Sequence, residues 1–256
     1  MYNTSQLKEF LDEKVNKYNC PDFIESDPVS IPHNFSKKED IEIAGFLAAT
    51  IAWGNRKTIL KSANQLIAWM DFAPYDFIIN HSPKELNVFN KFVYRTFNGI
   101  DCVYFLKSLQ NIYKNLNGIE SVFNQGYKQK SNIKDAISFF WDVFFALPHE
   151  KRTQKHLANP QKGSAAKRIN MYLRWMVRND NKGVDFGIWK QIKPANLMMP
   201  VDVHSGNIAR ELGLLTRKSN DWKAVDELTV NLRLFDADDP VKYDFALFGL
   251  GVNNDF

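Results

Sequence analysis

Apolar residues recur three and four positions apart along most of the chain, and strict alternation is nearly absent. That period predicts helices rather than strands. Leu7, Phe10, Leu11 and Val15 share one face of a first helix, and a loop rich in Pro, Asn and Ser follows over 19–34. Ser36-Lys37-Lys38-Glu39 reads as a capping box, with Ser at the N-cap and Glu three residues later. It opens a helix over 41–53 that carries Ile43, Phe46, Leu47 and Ile51 and is apolar enough to require burial on most sides. Gly54-Asn55 breaks it, and a second helix runs over 56–70. Further helices are predicted at 73–80, 84–94, 101–115, 118–126 and 132–146. The aromatic run 139–145 is read as helix, although a short strand would show the same run. A turn at 159–164 precedes a helix over 165–177. Then come a short helix at 185–191, a junction at Pro200-Val201-Asp202 and a helix over 203–212. Asp221 caps a helix over 222–234, and Asp239-Pro240 starts a last one over 240–250. The fold class is all-α, with about a dozen helices.

Composition narrows the function classes. The chain has 256 residues, 45% of them apolar, enough for one large domain or two lobes with a real core. Its formal net charge is only +4. The distribution says more: 151–182 holds nine Lys or Arg against the single acid Asp180. That block is interleaved with Tyr172, Trp175 and Met176, so it reads as a folded basic face, which points towards nucleic acid. Cys20 and Cys102 lie far apart in no metal spacing, which argues against a disulfide framework, a zinc site or an iron–sulfur cluster. No apolar run approaches the length of a membrane span, so no membrane partner is expected. The stretch 1–18 is polar and helical in pattern, unlike a signal peptide, and the reducing cytoplasm is the expected location.

Candidate chemistry concentrates at Leu197-Met198-Met199-Pro200-Val201-Asp202-Val203-His204. An apolar stretch there delivers one carboxylate to the start of an amphipathic helix, where it can cap the helix or stand beside a reacting centre. The basic segment Lys162-Gly163-Ser164-Ala165-Ala166-Lys167-Arg168 lies upstream, with Lys167 35 residues before Asp202.

A lysine, a helix and then Pro-Val-Asp-Val-His resembles the active-site region of the helix-hairpin-helix DNA glycosylase superfamily. The long lysine-to-aspartate spacing is most similar to the archaeal 8-oxoguanine glycosylase branch, whose hairpin is also atypical. No Gly-X-Gly hairpin precedes Lys167; Gly163-Ser164 stands where it would be. The whole chain, including 174–178 and 239–244, also looks like a bacterial family of unassigned function. The resemblance implies two helical lobes with a DNA-binding cleft between them. One lobe spans about 36–150, and the other about 151–256 together with the N-terminal helix. It implies Lys167 and Asp202 as the catalytic pair, with His204 and Arg168 in support. Asn55 and Arg56 would sit at the tip that fills the gap left by a flipped base, and Lys162, Gly163, Ser164, Arg174 and Arg178 would contact DNA. Trp141, Phe144 and Trp175 would line a base pocket, since flipped bases stack on rings.

The residue types suit that chemistry. Breaking a glycosidic bond develops positive charge on the sugar, which a fixed carboxylate stabilises. A neutral lysine amine can attack the anomeric carbon and form a Schiff base. An ordinary lysine is protonated at neutral pH, so it would need desolvation or nearby cations, and Arg168 is adjacent in sequence. The expected activity is a base-excision glycosylase, with an AP-lyase step, acting on an oxidised purine in double-stranded DNA. It would need no metal and no cofactor and would act as a monomer. Each residue also has a plain structural reading. Asp202 can be only a cap, Lys167 a solvated surface lysine with Lys162 as its rival, Asn55-Arg56 an ordinary turn, and the aromatics core. Those readings leave open a non-catalytic helical DNA-binding protein, or a helical protein whose basic face meets an acidic partner.

Overall fold

The computed structural model describes residues 3–253. They form twelve α-helices: α1 (Thr4–Tyr18), α2 (Asp22–Ser26), α3 (Lys38–Thr50), α4 (Arg56–Ala68), α5 (Pro74–Asn80), α6 (Gly99–Asn115), α7 (Gly118–Lys130), α8 (Ile133–Phe144), α9 (Lys167–Val177), α10 (Val203–Glu211), α11 (Trp222–Arg233) and α12 (Tyr243–Asn253). Among the described residues the only sheet is a hairpin of β1 (Val93–Tyr94) and β2 (Phe97–Asn98), paired Val93 to Asn98 and Tyr94 to Phe97. The fold is all-α. It comprises two compact units: a central one, Ser26–Ala158, and a terminal one made of Met1–Glu25 and Asn159–Phe256.

The central unit is organised around α3. Every residue over 41–50 is buried, as its composition demands, including Glu42. A buried carboxylate needs partners. Glu42 accepts a hydrogen bond from Tyr113 Oη at 2.6 Å and lies 3.9 Å from Lys38 Nζ. Beside α3, Phe46, Phe105, Phe123, Phe140 and Phe144 pack as a chain of rings with neighbouring centroids 4.4–6.1 Å apart. The 139–145 run is helix as far as Phe144; Phe140, Phe144 and Phe145 are core, and Phe139 is half-buried.

Three local expectations fail for identifiable reasons. Lys37, not Ser36, precedes α3, and no side chain caps it, so Ser36-Lys37-Lys38-Glu39 is out of register for a capping box. Lys37 instead lies over the Tyr75 ring at 4.0 Å, and Asp40 accepts from Tyr75 N at 2.7 Å. The 84–94 stretch is a 3-10 helix (Glu85–Lys91) followed by β1. Its hairpin turns at Arg95, which takes φ 54°, a conformation hairpin turns favour but Arg rarely adopts. Finally, 185–191 is not helical. The amides of Phe186 and Trp189 donate instead to the carbonyls of Trp175 and Met176, at 2.8 and 2.9 Å, which satisfies the last turn of α9.

In the terminal unit α12 packs against α1 and α10. Tyr172, Trp175, Met176 and Trp189 form its buried interior together with Leu228, Tyr243 and Leu247. The irregular stretch from α9 to α10 is held down by Val184, Trp189, Ile192, Leu197, Met199 and Val201, all buried. Anchored in this way, it ends at Asp202.

Candidate active site

Asp202 emerges where buried Val201 stops and α10 starts. Its backbone is extended, at φ −125° and ψ −165°. Oδ1 accepts from Ser205 N at 3.0 Å, while Ser205 Oγ accepts from Asp202 N at 3.0 Å. This reciprocal box satisfies two orphan amides of α10. It also pins Asp202 with one oxygen and leaves Oδ2 to point elsewhere. Lys167, the first residue of α9, places Nζ 3.6 Å from that Oδ2. Both side chains are about three-quarters buried, with 23% and 25% of their surface exposed.

The Lys167 amine has further neighbours. Met171 Sδ, one helical turn on, is 3.5 Å away, and the Phe248 ring centroid is 5.6 Å away. Phe248 also meets the ring of His204 edge-on at 6.5 Å. His204 itself is exposed, and Arg168 is half-buried. Burial pushes the Arg168 guanidinium down to about 10, which leaves it a cation at neutral pH.

Asp244 on α12 is buried and paired with Arg174 Nη1. Burial pushes its carboxyl up to about 6; Arg174 and Lys167 oppose the shift, and the Asp202 charge adds to it. Lys167, Asp202, Asp244 and Arg174 thus form one electrostatic group. Sequence reading missed Asp244 and Phe248. The available signal was an acid at the head of the apolar run 245–250, with Phe248 one turn further along the same helix.

Other expected site residues divide into exposed ones and buried ones. Lys162 and Gly163 are exposed on the turn before α9. Gly163 takes φ 86°, and an added Cβ would meet nothing within 4 Å. Ser164, also exposed, accepts from Ala166 N at 3.1 Å and forms a β-bridge with Asp221. The amine beside Asp202 belongs to Lys167, the sequence neighbour of Arg168. Asn55 is exposed and caps α4 through Oδ1 to Thr58 N at 3.2 Å, and Arg56 follows as the first residue of that helix.

Arg174 and Arg178 require correction. Each has 3% of its surface exposed. Arg174 Nε bonds Asp185 at 3.2 Å, and Arg178 bonds Asp185, Asp239 and Asp180 at 3.1, 2.9 and 2.8 Å. Two buried guanidiniums shared among buried or half-buried carboxylates cannot reach a phosphate, so they hold the unit together instead. Arg152, in the same basic block, similarly pairs with fully buried Asp101 at 2.8 Å. The block is thus mixed: Lys151, Lys155, Lys162 and Lys182 are exposed, Arg152, Lys167 and Arg168 half-buried, and Arg174 and Arg178 buried. The base-pocket residues also need correction. Phe144 and Trp175 have no exposed surface and cannot stack on a base. Trp141 is half-buried and donates Nε1 to Leu157 O at 3.0 Å.

Among the described residues no three His, Cys, Asp or Glu side chains converge as a metal site. Among the described residues no helix is long and apolar enough to cross a membrane. The arrangement that remains pairs a primary amine with a fixed carboxylate, with an aromatic ring alongside. That set can perform nucleophilic catalysis at an electrophilic carbon. No curated protein and no solved structure matches the chain. A family described as protein of unknown function (DUF2400) matches residues 27–253, and the chain belongs to that family.

Proposed function

We propose that this chain is a base-excision DNA glycosylase with lyase activity, in which Lys167 is the nucleophile and Asp202 its partner. The observation that carries the reading is the 3.6 Å approach of Lys167 Nζ to Asp202 Oδ2, at the starts of α9 and α10. The Val-Asp-Val-His run around Asp202 and its resemblance to helix-hairpin-helix glycosylases support it, and the same resemblance suggests an oxidised purine in duplex DNA as substrate.

The reaction follows from the two groups. An ammonium has no lone pair, so Lys167 first gives a proton to Asp202. The free amine attacks C1′ of the extruded nucleotide. The new C–N bond forms as the bond to the base breaks; the base leaves with the bonding pair and takes the proton that Asp202 received, which returns Asp202 to its carboxylate. Asp202, held by its cap, stabilises the positive charge on the sugar in the interim. The amine's second proton passes to the ring oxygen O4′ as the C1′–O4′ bond breaks, and a protonated Schiff base results. Phe248 contributes an apolar wall beside the amine.

The test is borohydride trapping with duplexes that carry 8-oxoguanine or other single oxidised or deaminated bases. The expected result is a covalent protein–DNA adduct that Lys167→Gln abolishes and Lys162→Gln retains. An adduct that survives Lys167→Gln would remove Lys167 as the nucleophile. One observation favours a second reading, a non-catalytic DNA-binding protein: the reciprocal cap at Asp202 and Ser205 already gives the carboxylate a complete structural role. Duplex binding with neither adduct nor base release across the lesion panel would support that alternative.

A further inference from the structure

Lys167 and Asp202 each begin a helix that follows irregular chain. Ala166 takes a left-handed φ of 48° and offers α9 no side-chain cap. The segment before Asp202 is irregular, with a 3-10 turn at Pro194–Asn196. Neither helix by itself sets the distance between the two groups.

A third segment touches both approaches. At 220–222 the chain forms an antiparallel bridge between Asp221 and Ser164, and Trp222 N donates to Gly163 O at 3.0 Å. These bonds hold the backbone three and four residues before Lys167. The adjacent residue, Asn220, donates Nδ2 to Asp202 O at 2.9 Å and accepts at Oδ1 from Arg210 Nη2 at 2.5 Å. One amide therefore grips α10 at its first and last turns. A carbonyl can only accept and a guanidinium only donate, so the amide has one orientation that satisfies both. Arg210 in turn donates Nε to Arg217 O at 2.8 Å. Arg217 pairs with Asp221 through both carboxylate oxygens, with Nε to Oδ1 at 2.6 Å. That hydrogen bonding holds the Asp221 carboxyl down at about 2, so the pair stays charged across the working pH range. Gly206 leaves room for the amide: an added Cβ would stand 2.7 Å from Asn220 Oδ1.

We propose that the segment 217–222 is a brace that sets the Lys167–Asp202 separation, with Asn220 as its positioning residue. The inference rests on the reading of Lys167 and Asp202 as the reacting pair. Asn220 need not touch DNA. It acts through the backbone of Asp202, and a misplacement of about 1 Å at a reacting group can cost about 100-fold in rate.

Asn220→Asp tests the point with little change in size: the acceptor for Arg210 stays, and the donor facing Asp202 O becomes an oxygen. Gly206→Ala displaces the same amide without altering it. The first readout needs no substrate. The full chain is treated with formaldehyde and cyanoborohydride, and methylation of each lysine is mapped by peptide mass spectrometry. Asp202→Asn should raise Lys167 labelling severalfold by removing its carboxylate. Asn220→Asp and Gly206→Ala should recover much of that rise, while exposed Lys223 labels as before. The second readout is single-turnover trapping on an 8-oxoguanine duplex. Both variants should slow adduct formation by about 10–100-fold with duplex affinity unchanged. Wild-type Lys167 labelling in both variants, or no rise in Asp202→Asn, would overturn the brace. If labelling responds as expected but wild-type protein traps no damaged duplex, the brace stands and the glycosylase reading falls.

Discussion

Asp202 serves two ends with its two oxygens: Oδ1 caps α10 and Oδ2 faces Lys167. The roles separate by substitution. Asparagine also caps well, so Asp202→Asn should keep stability within about 0.5 kcal/mol, whereas Asp202→Ala should lose about 1 kcal/mol with the cap. The ion pair, with about a quarter of each side chain exposed, adds little to either figure. Borohydride trapping should fall in both variants, because an amide neither takes the Lys167 proton nor offsets charge on the sugar. Denaturant unfolding alongside trapping checks the split. Trapping that survives in Asp202→Asn would leave Asp202 as a cap alone.

At the scale of elements, the 178–202 stretch shows how local pattern yields to tertiary bonding. Its 185–191 part has a helical pattern, but Asp185 turns in to the two guanidiniums of α9 and its amides cap the same helix. Another tight junction lies in the central unit, where α6 begins against the 3-10 helix Glu85–Lys91. An added Cβ at Gly99 would stand 2.1 Å from Asn90 O and 2.6 Å from Asn90 Cα. Those are backbone atoms, so relief requires moving an element and not a rotamer. Gly99→Ala should therefore cost about 2–3 kcal/mol, read as a lowered denaturant midpoint. A change below about 0.5 kcal/mol would show that the junction yields freely.

Across the whole molecule, charge is arranged differently from its order along the chain. The basic block 151–182 is divided between the two units, and part of it is buried. Its first eight residues belong to the central unit, and Arg152, Arg174 and Arg178 are spent on carboxylates. Lys162, by contrast, is exposed. On the glycosylase reading, Lys162→Gln should reduce the salt slope of duplex binding by about one and leave stability unaltered. Arg178→Gln should leave the slope unchanged but lose about 3–5 kcal/mol, because it strands buried carboxylates. Fluorescence anisotropy across a salt series, with unfolding curves for both variants, checks both halves. A reduced slope in Arg178→Gln would place that residue at the DNA after all.

Local interactions made much of this legible without coordinates. Apolar period reports burial of one helix face, so the all-α class and most helices are readable from residues a few positions apart. The caps at Asn55, Asp202 and Asp221 are equally local, because each bonds an amide three residues on. The hairpin was not legible: its strands are two residues each, and its turn rests on an arginine in a left-handed conformation. Nor could the pattern distinguish exposed cations from buried ones, since Asp185, Asp239 and Asp244 meet Arg174 and Arg178 only through folding. Sequence by itself determined the all-α class, most of the helices and the caps at Asp202 and Asp221, because those depend on near neighbours. Only the tertiary structure decided which amine stands at Asp202, and that Asp244, Phe248 and Asn220 surround that pair. These contacts join residues 18 to 81 positions apart, and no local period encodes them.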